Sequence, residues 1–146
     1  MLLRESGVAF FTSLTLHSLA MAFVVGINVL LALRLLGMMP HIEPNRFLAY
    51  LPLHWWFTVL IFASGIALLL AYPAKALTNP VFYLKLAALG TGLVLMAKLQ
   101  RSLARTGSVS RPRVFAVAML SCWVVTLFAG RFLAYTHSIL LASSFF

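Results

Sequence analysis

The sequence predicts an all-α integral membrane protein, a four-transmembrane-helix up-down bundle that forms a single membrane domain over residues 1–146. Hydrophobic residues make up 63% of the chain. No charged residue lies between Glu5 and Arg34, nor between Arg46 and Lys75. A hydrocarbon core of about 30 Å needs about 20 apolar helical residues to cross it, so each gap is long enough to span. The apolar runs are continuous rather than alternating, which indicates helices rather than a barrel.

The first two spans are predicted at about residues 7–35 and 46–72. The apolar run after Arg4 is too long for a signal peptide and has no clear cleavage site, so we interpret it as a span. A loop containing Pro40 and Pro44 separates the two helices. Pro52 falls in the first turns of the second helix, where a missing amide proton is best tolerated.

The third and fourth spans are predicted at about residues 80–101 and 112–138. Asn79 precedes Pro80 and is a good candidate for the N-cap of the third helix. The loop 106–110, which contains Gly107, then separates the third helix from the fourth, which starts at Pro112. The connections are too short to hold a soluble domain beside the spans.

Basic residues predict the orientation, because Lys and Arg accumulate in cytoplasmic loops. Seven lie near the loops after the first and third helices: Arg34, Arg46, Lys98, Arg101, Arg105, Arg111 and Arg113. The opposite side holds four: Arg4, Lys75, Lys85 and Arg131. We therefore predict a multi-pass protein of the bacterial inner (cytoplasmic) membrane with both termini periplasmic, and we term the two sides inner and outer.

The formal charge of +9 would suggest nucleic-acid binding in a soluble protein. Here the basic residues flank hydrophobic spans, so we interpret them as topology signals and as contacts with anionic membrane lipids, and expect no nucleic-acid partner. The one cysteine, Cys122, cannot form an internal disulfide. No Rossmann, P-loop or Cys/His zinc pattern is present in the sequence.

Polar side chains inside the spans are the candidate functional residues, because such groups are costly at membrane depth. The set comprises His17, Asn28, His54, Lys85, Arg131, Tyr135 and His137. His17 and Asn28 lie three turns apart and share a helix face. A rise of about 1.5 Å per residue places His17, Lys85, Arg131 and His137 in the outer half, and His54 near the inner boundary.

Histidines on facing helices of a bundle are typical ligands of b-type haem. His17 and His137 are the best-placed pair for the iron, and Lys85 and Arg131 suit the haem propionates. Gly130 would leave space for a porphyrin edge. The same cluster suits a quinone, with His17 or Tyr135 donating to a carbonyl oxygen.

Structural roles compete with each of these assignments. A histidine in a membrane helix, His54 included, also serves as a hydrogen-bond partner of a neighbouring helix. Lys85 and Arg131 also suit snorkelling to the interface. Met96 and Met119 fit core packing better than copper ligation.

Short segments along nearly the whole chain resemble a family of bacterial four-helix membrane proteins that are distantly related to CopD-type copper-resistance proteins and cytochrome b-type membrane subunits. The segments are Leu16-His17-Ser18-Leu19-Ala20 with Gly26, Leu33-Arg34-Leu35-Leu36-Gly37, Asn79-Pro80-Val81-Phe82 with Lys85, and Ala129-Gly130-Arg131-Phe132-Leu133-Ala134-Tyr135. The resemblance implies a haem- or quinone-associated membrane role in which His17, Lys85 and Arg131 are the positions carried over.

Three functions follow from the sequence. The first is a membrane-embedded electron-transfer subunit that binds haem b, a quinone or both, and works with a partner oxidoreductase. Such a subunit is non-catalytic by itself, because little chain lies outside the bilayer. The second is a cofactor-free accessory subunit of a larger membrane complex. The third is copper uptake or handling, which requires clustered His and Met residues.

Overall fold

The structure, a computed structural model, describes residues 6–143, without the side chains of residue 75 and residues 136–143. In chain order its elements are α1 (Gly7–Leu35), a 3-10 helix (Pro44–Tyr50), α2 (Leu51–Ala71), α3 (Pro73–Leu77), α4 (Pro80–Thr106) and α5 (Pro112–Ser143). Within the described residues four stretches are long and apolar enough to cross a membrane: Gly7–Leu35, Pro44–Ala71, Pro80–Thr106 and Pro112–Tyr135. The predicted all-α four-helix membrane bundle is thereby confirmed.

The helix ends carry the caps that the sequence favours. The Ser6 hydroxyl accepts a hydrogen bond from the Ala9 amide at 3.3 Å at the start of α1. The Asn79 side chain accepts from the Val81 amide at 3.0 Å, which confirms Asn79 as the N-cap of α4. Gly107 ends α4 with a φ of +64°, a left-handed conformation that costs glycine little.

The second span begins differently from the prediction of one helix starting at residue 46. A 3-10 helix occupies Pro44–Tyr50, and the α-helix starts only at Leu51. Pro52 explains the change, because a proline lacks the amide proton and its ring would clash with the carbonyl four residues earlier in a continuous α-helix. The tighter 3-10 segment carries the chain to the proline instead.

The third and fourth spanning helices, α4 and α5, are longer than predicted. α4 continues five residues past the predicted end at 101, because Arg101 and Arg105 are exposed good helix formers and Gly107 is the first residue that stops the helix. α5 starts at Pro112, as the sequence predicts, and its helical backbone continues to Ser143.

The helices pack side by side in a defined order. α1 contacts both α2 and α5, and α4 contacts α5, whereas the backbones of α2 and α4 scarcely approach each other. A hydrogen bond of 2.9 Å from Trp55 Nε1 to Gln100 Oε1 joins α2 to α4 near the inner side. Buried apolar side chains form an outer core around Val24, Ile61 and Trp123, and an inner core around Met96. Large apolar side chains outside these cores are exposed to lipid.

Candidate functional site

His17 contacts α2 through Ser64. The Nδ1 atom of His17 lies 2.9 Å from the Ser64 Oγ atom. The Ser64 hydroxyl donates to the Leu60 carbonyl oxygen at 2.6 Å. A hydroxyl has a single proton, so Ser64 Oγ accepts its hydrogen bond from the Nδ1–H group of His17. The ring also has a hydrogen bond to the backbone of Ile61, whose carbonyl oxygen accepts it. With the proton on Nδ1, the second nitrogen of the neutral ring, Nε2, carries a lone pair.

A glycine lets the His17 ring lie directly on α2. A methyl group at Gly65 would lie 3.5 Å from His17 Cε1 and 3.9 Å from Nδ1. Any larger side chain at this position would therefore compete with the imidazole for the same space. The Ser64-Gly65 pair thus supplies both the hydrogen-bond acceptor and the room for the ring.

Lys85 reaches the same region from α4. Its side chain lies on Gly130 of α5, where a methyl group would be 3.5 Å from the Lys85 Cε atom and 3.6 Å from Nζ. The positive charge of Lys85 acts on the His17 ring. We call His17, Ser64, Gly65, Lys85 and Gly130 the outer site, to which all four spanning helices contribute.

The outer site lacks negative charge. The only two acidic residues of the chain, Glu5 and Glu43, both lie outside the spanning segments. Lys85 is half-buried, and within residues 6–143 no carboxylate forms an ion pair with it. A cation in this setting is stabilised by an oxygen atom, which a backbone carbonyl, water or a bound molecule can supply.

A second polar contact, which we call the inner pair, joins Asn28 of α1 to His54 of α2. The Asn28 amide donates to the Val24 carbonyl oxygen at 2.7 Å and to His54 Nε2 at 2.8 Å. Both side chains are 0% exposed. His54 Nε2 is therefore the acceptor, and Nδ1 carries the ring proton. Among the described residues, Asn28 Oδ1 and His54 Nδ1 have no hydrogen-bond partner.

The outer site and the inner pair are separate. Ser64, which binds His17, and His54 lie ten residues apart in α2, or about 15 Å along the helix axis. A haem iron binds its histidine nitrogens at about 2 Å, as zinc does. His17 and His54 therefore cannot bind the same iron atom.

Arg131 and Tyr135 are exposed on α5, and the Arg131 guanidinium carbon lies 5.8 Å from the centroid of the Tyr135 ring. This is a cation–π contact on the bundle surface. Arg131 directly follows Gly130, on which Lys85 lies, and the predicted cofactor roles of Arg131 and Tyr135 stay predictions. The His137 side chain lies outside the described residues, so its pairing with His17 stays a prediction.

The described residues contain no group of three or more His, Cys, Asp or Glu side chains that could hold a metal ion. Met96 and Met119 are fully buried in the inner core, where they contact apolar side chains. Their positions match the predicted packing role.

No protein family, curated protein or solved structure matches the chain in the comparisons made. The resemblance to CopD-type and cytochrome b-type membrane proteins therefore stays a prediction. What is established is the class of the protein: a multi-pass α-helical membrane protein with a polar site in the outer half of its bundle.

His17, Lys85 and His54 were predictable from the sequence, whereas Ser64 and Gln100 were not predicted as hydrogen-bond partners. One signal for Ser64 was present. His17 lies ten residues from the outer end of α1, and Ser64 lies seven residues from the outer end of α2. Antiparallel helices bring residues of similar depth together, so this comparison could have paired them. Gln100 gave no such signal, because it lies among the charged residues at the inner end of α4.

Proposed function

We propose that the protein is a membrane-embedded electron-transfer subunit that binds a quinone at the outer site and works with a partner oxidoreductase. One observation carries this proposal: an imidazole hydrogen-bonded to Ser64 and a half-buried lysine packed on Gly130 lie at the same end of the bundle, in spans that contain no Asp or Glu. Such a site suits a neutral or anionic molecule that presents oxygen atoms and arrives through the lipid phase.

The two side chains match the two oxidation states of a quinone. The Lys85 ammonium is a donor that suits a quinone carbonyl oxygen. The lone pair on His17 Nε2 suits the hydroxyl proton of the reduced form. When bound, a quinone supplies the exchange of electrons and protons, and the protein supplies position, charge and a water-poor environment.

Haem b is a second candidate for the same site, and the hydrogen bond from His17 to Ser64 favours it. A histidine that donates its Nδ1 proton to an oxygen is held with Nε2 directed to a metal. Lys85 would then pair with a propionate. The second axial ligand would have to come from elsewhere than His54, which is bound to Asn28 and lies about 15 Å along the axis from His17. His137 is the remaining histidine of the predicted spans.

The test compares two site variants with two matched controls in purified protein reconstituted in lipid nanodiscs. His17→Ala and Lys85→Gln remove the proposed contacts, whereas His41→Ala and Lys98→Gln change exposed residues of the same types. A short-chain benzoquinone and its hydroquinone are titrated separately by calorimetry. We expect Lys85→Gln to bind the quinone at least about tenfold more weakly, as the loss of a charged hydrogen bond implies. We expect His17→Ala to bind the hydroquinone about fivefold more weakly, as the loss of a neutral hydrogen bond implies, and the controls to bind like the wild type.

The outcomes separate the candidate functions. Equal quinone affinity in all five proteins would contradict the quinone assignment. A reducible Soret band that disappears in His17→Ala would replace it with haem b. A protein that binds neither cofactor, but co-purifies in fixed stoichiometry with a membrane partner regardless of these substitutions, would be an accessory subunit.

A further inference from the structure

A groove of about 290 Å³ lies at the inner end of the bundle, far from the outer site. It is formed between the last turns of α1, the following loop and the 3-10 helix. Its lining residues are Leu30, Met39, Ile42, Arg46, Phe47 and Tyr50. Five of these six are aliphatic, aromatic or thioether side chains, and the sixth is a cation. We call this feature the inner groove.

Local contacts hold the walls of the inner groove in place. The Arg34 guanidinium donates through Nε to the Ile42 carbonyl oxygen, which folds the loop back onto the end of α1. The Arg46 amide donates to the Glu43 carbonyl oxygen at 3.1 Å, in the first turn of the 3-10 helix. Phe47 is 8% exposed and anchors that helix in the inner core. The groove is therefore built by the fold rather than by loose surface side chains.

The inner groove extends from the membrane interface into the hydrocarbon region. Leu30 lies five residues before the end of α1, which corresponds to about 7.5 Å of depth. Arg46 and Tyr50 belong to the 3-10 helix that precedes α2 and are exposed. Tyrosine and arginine are typical of the headgroup level. The groove thus has an apolar lower part and a cationic, phenolic upper part.

The charge on this side of the protein is strongly positive. The two inner connections and the adjoining helix ends hold seven Lys and Arg residues but one acidic residue, Glu43. We propose that the inner groove binds one anionic phospholipid of the adjoining leaflet, with the phosphate at Arg46 and an acyl chain against Leu30 and Phe47. A soluble anion would use Arg46 but leave the apolar walls unoccupied, whereas a phospholipid contacts both. This lipid site is independent of the cofactor at the outer site.

Native mass spectrometry of the detergent-purified full chain tests the proposal with two lipids that share their acyl chains, phosphatidylglycerol and phosphatidylcholine. We expect the wild type to bind phosphatidylglycerol about fivefold more tightly, the ratio that ~1 kcal/mol per cation near the membrane surface gives. Arg46→Gln should remove this preference. Arg113→Gln, which removes an exposed charge outside the groove lining, should keep it.

A second variant tests the groove without changing any charge. Leu30→Trp places a larger side chain on the apolar wall, and we expect it to weaken binding of both lipids. Equal binding of the two lipids by the wild type would overturn the proposal. So would an equal loss of preference in Arg113→Gln and Arg46→Gln, which would indicate a diffuse charge effect. Unchanged lipid binding in Leu30→Trp would exclude the groove as the place of the acyl chain.

Discussion

Individual polar residues inside the bundle are joined in pairs that bridge helices. His17 bonds to Ser64, and Asn28 bonds to His54, so α1 and α2 are tied at two depths. A buried polar group without a hydrogen-bond partner costs free energy. Each pair therefore lowers the cost of burying its two side chains. The two pairs differ in their free atoms: the outer pair leaves the His17 Nε2 atom, whereas the inner pair leaves Asn28 Oδ1 and His54 Nδ1, which are buried and have no partner among the described residues.

The hydrogen bond of the inner pair should be measurable as a coupling energy. We expect Asn28→Leu and His54→Leu each to lower the free energy of unfolding, and the double variant to lower it by less than their sum. Interhelical hydrogen bonds in membranes contribute about 0.6–2 kcal/mol, so the coupling should fall in that range. Unfolding in SDS–detergent mixtures measures it, with His41→Leu as the exposed control. If the effects of the two single variants add up to the effect of the double variant, the hydrogen bond between Asn28 and His54 does not contribute to stability.

Ser64 should act as a positioning residue for His17. Ser64→Ala removes the oxygen that accepts the Nδ1 proton, and we expect cofactor affinity to fall about fivefold, as the loss of one neutral hydrogen bond of ~1 kcal/mol implies. Ser64→Thr retains the hydroxyl and should restore most of the affinity. Ser121→Ala, an exposed serine of α5, is the control. If Ser64→Ala binds like the wild type, the hydrogen bond does not orient the ring for binding.

Helix elements owe their boundaries to a few residues that could be recognised in the sequence. Asn79, Gly107 and Pro112 mark helix ends where the structure has them. The second span starts close to the predicted residue, but its first seven residues form a 3-10 helix rather than an α-helix, because the effect of Pro52 extends one turn towards the N-terminus. The depth of His17 and Lys85 in the membrane could be predicted from their positions along the spans. Their hydrogen-bond and packing partners could not be predicted, because the periodicity within one span does not tell which helices are neighbours.

The interface between α4 and α5 depends on a glycine. A methyl group at Gly92 would lie 3.2 Å from Cε2 of the buried Trp123 ring. We expect Gly92→Ala to lower the free energy of unfolding by about 1–3 kcal/mol through overpacking. Gly90→Ala in the same helix meets nothing within 4 Å and should be neutral or raise stability by up to about 1 kcal/mol. Thermal unfolding in detergent compares them, and equal stability of the two variants would contradict the close packing.

At the scale of the whole molecule, α1, α2, α4 and α5 form one bundle whose two ends differ in charge. Seven basic residues lie near the first and third loops, compared with four at the other end of the bundle. We therefore predict that the first and third loops are cytoplasmic. In a Cys122→Ala background, Ser108→Cys should react with a membrane-impermeant thiol reagent only from the cytoplasmic side. Leu77→Cys in the opposite connection should react only from the other side. The reverse labelling pattern would invert the topology.

One cation and one hydrogen-bonded imidazole lie at the same end of the bundle, in spans that contain no Asp or Glu, and this is why we propose a redox cofactor there. The most direct test is the cofactor content of the purified protein, determined by organic extraction and by the dithionite-reduced absorption spectrum. We predict stoichiometric quinone in the wild type and its loss in His17→Ala, with His41→Ala unchanged. A wild-type protein from cofactor-replete cells that carries neither quinone nor haem would contradict this assignment.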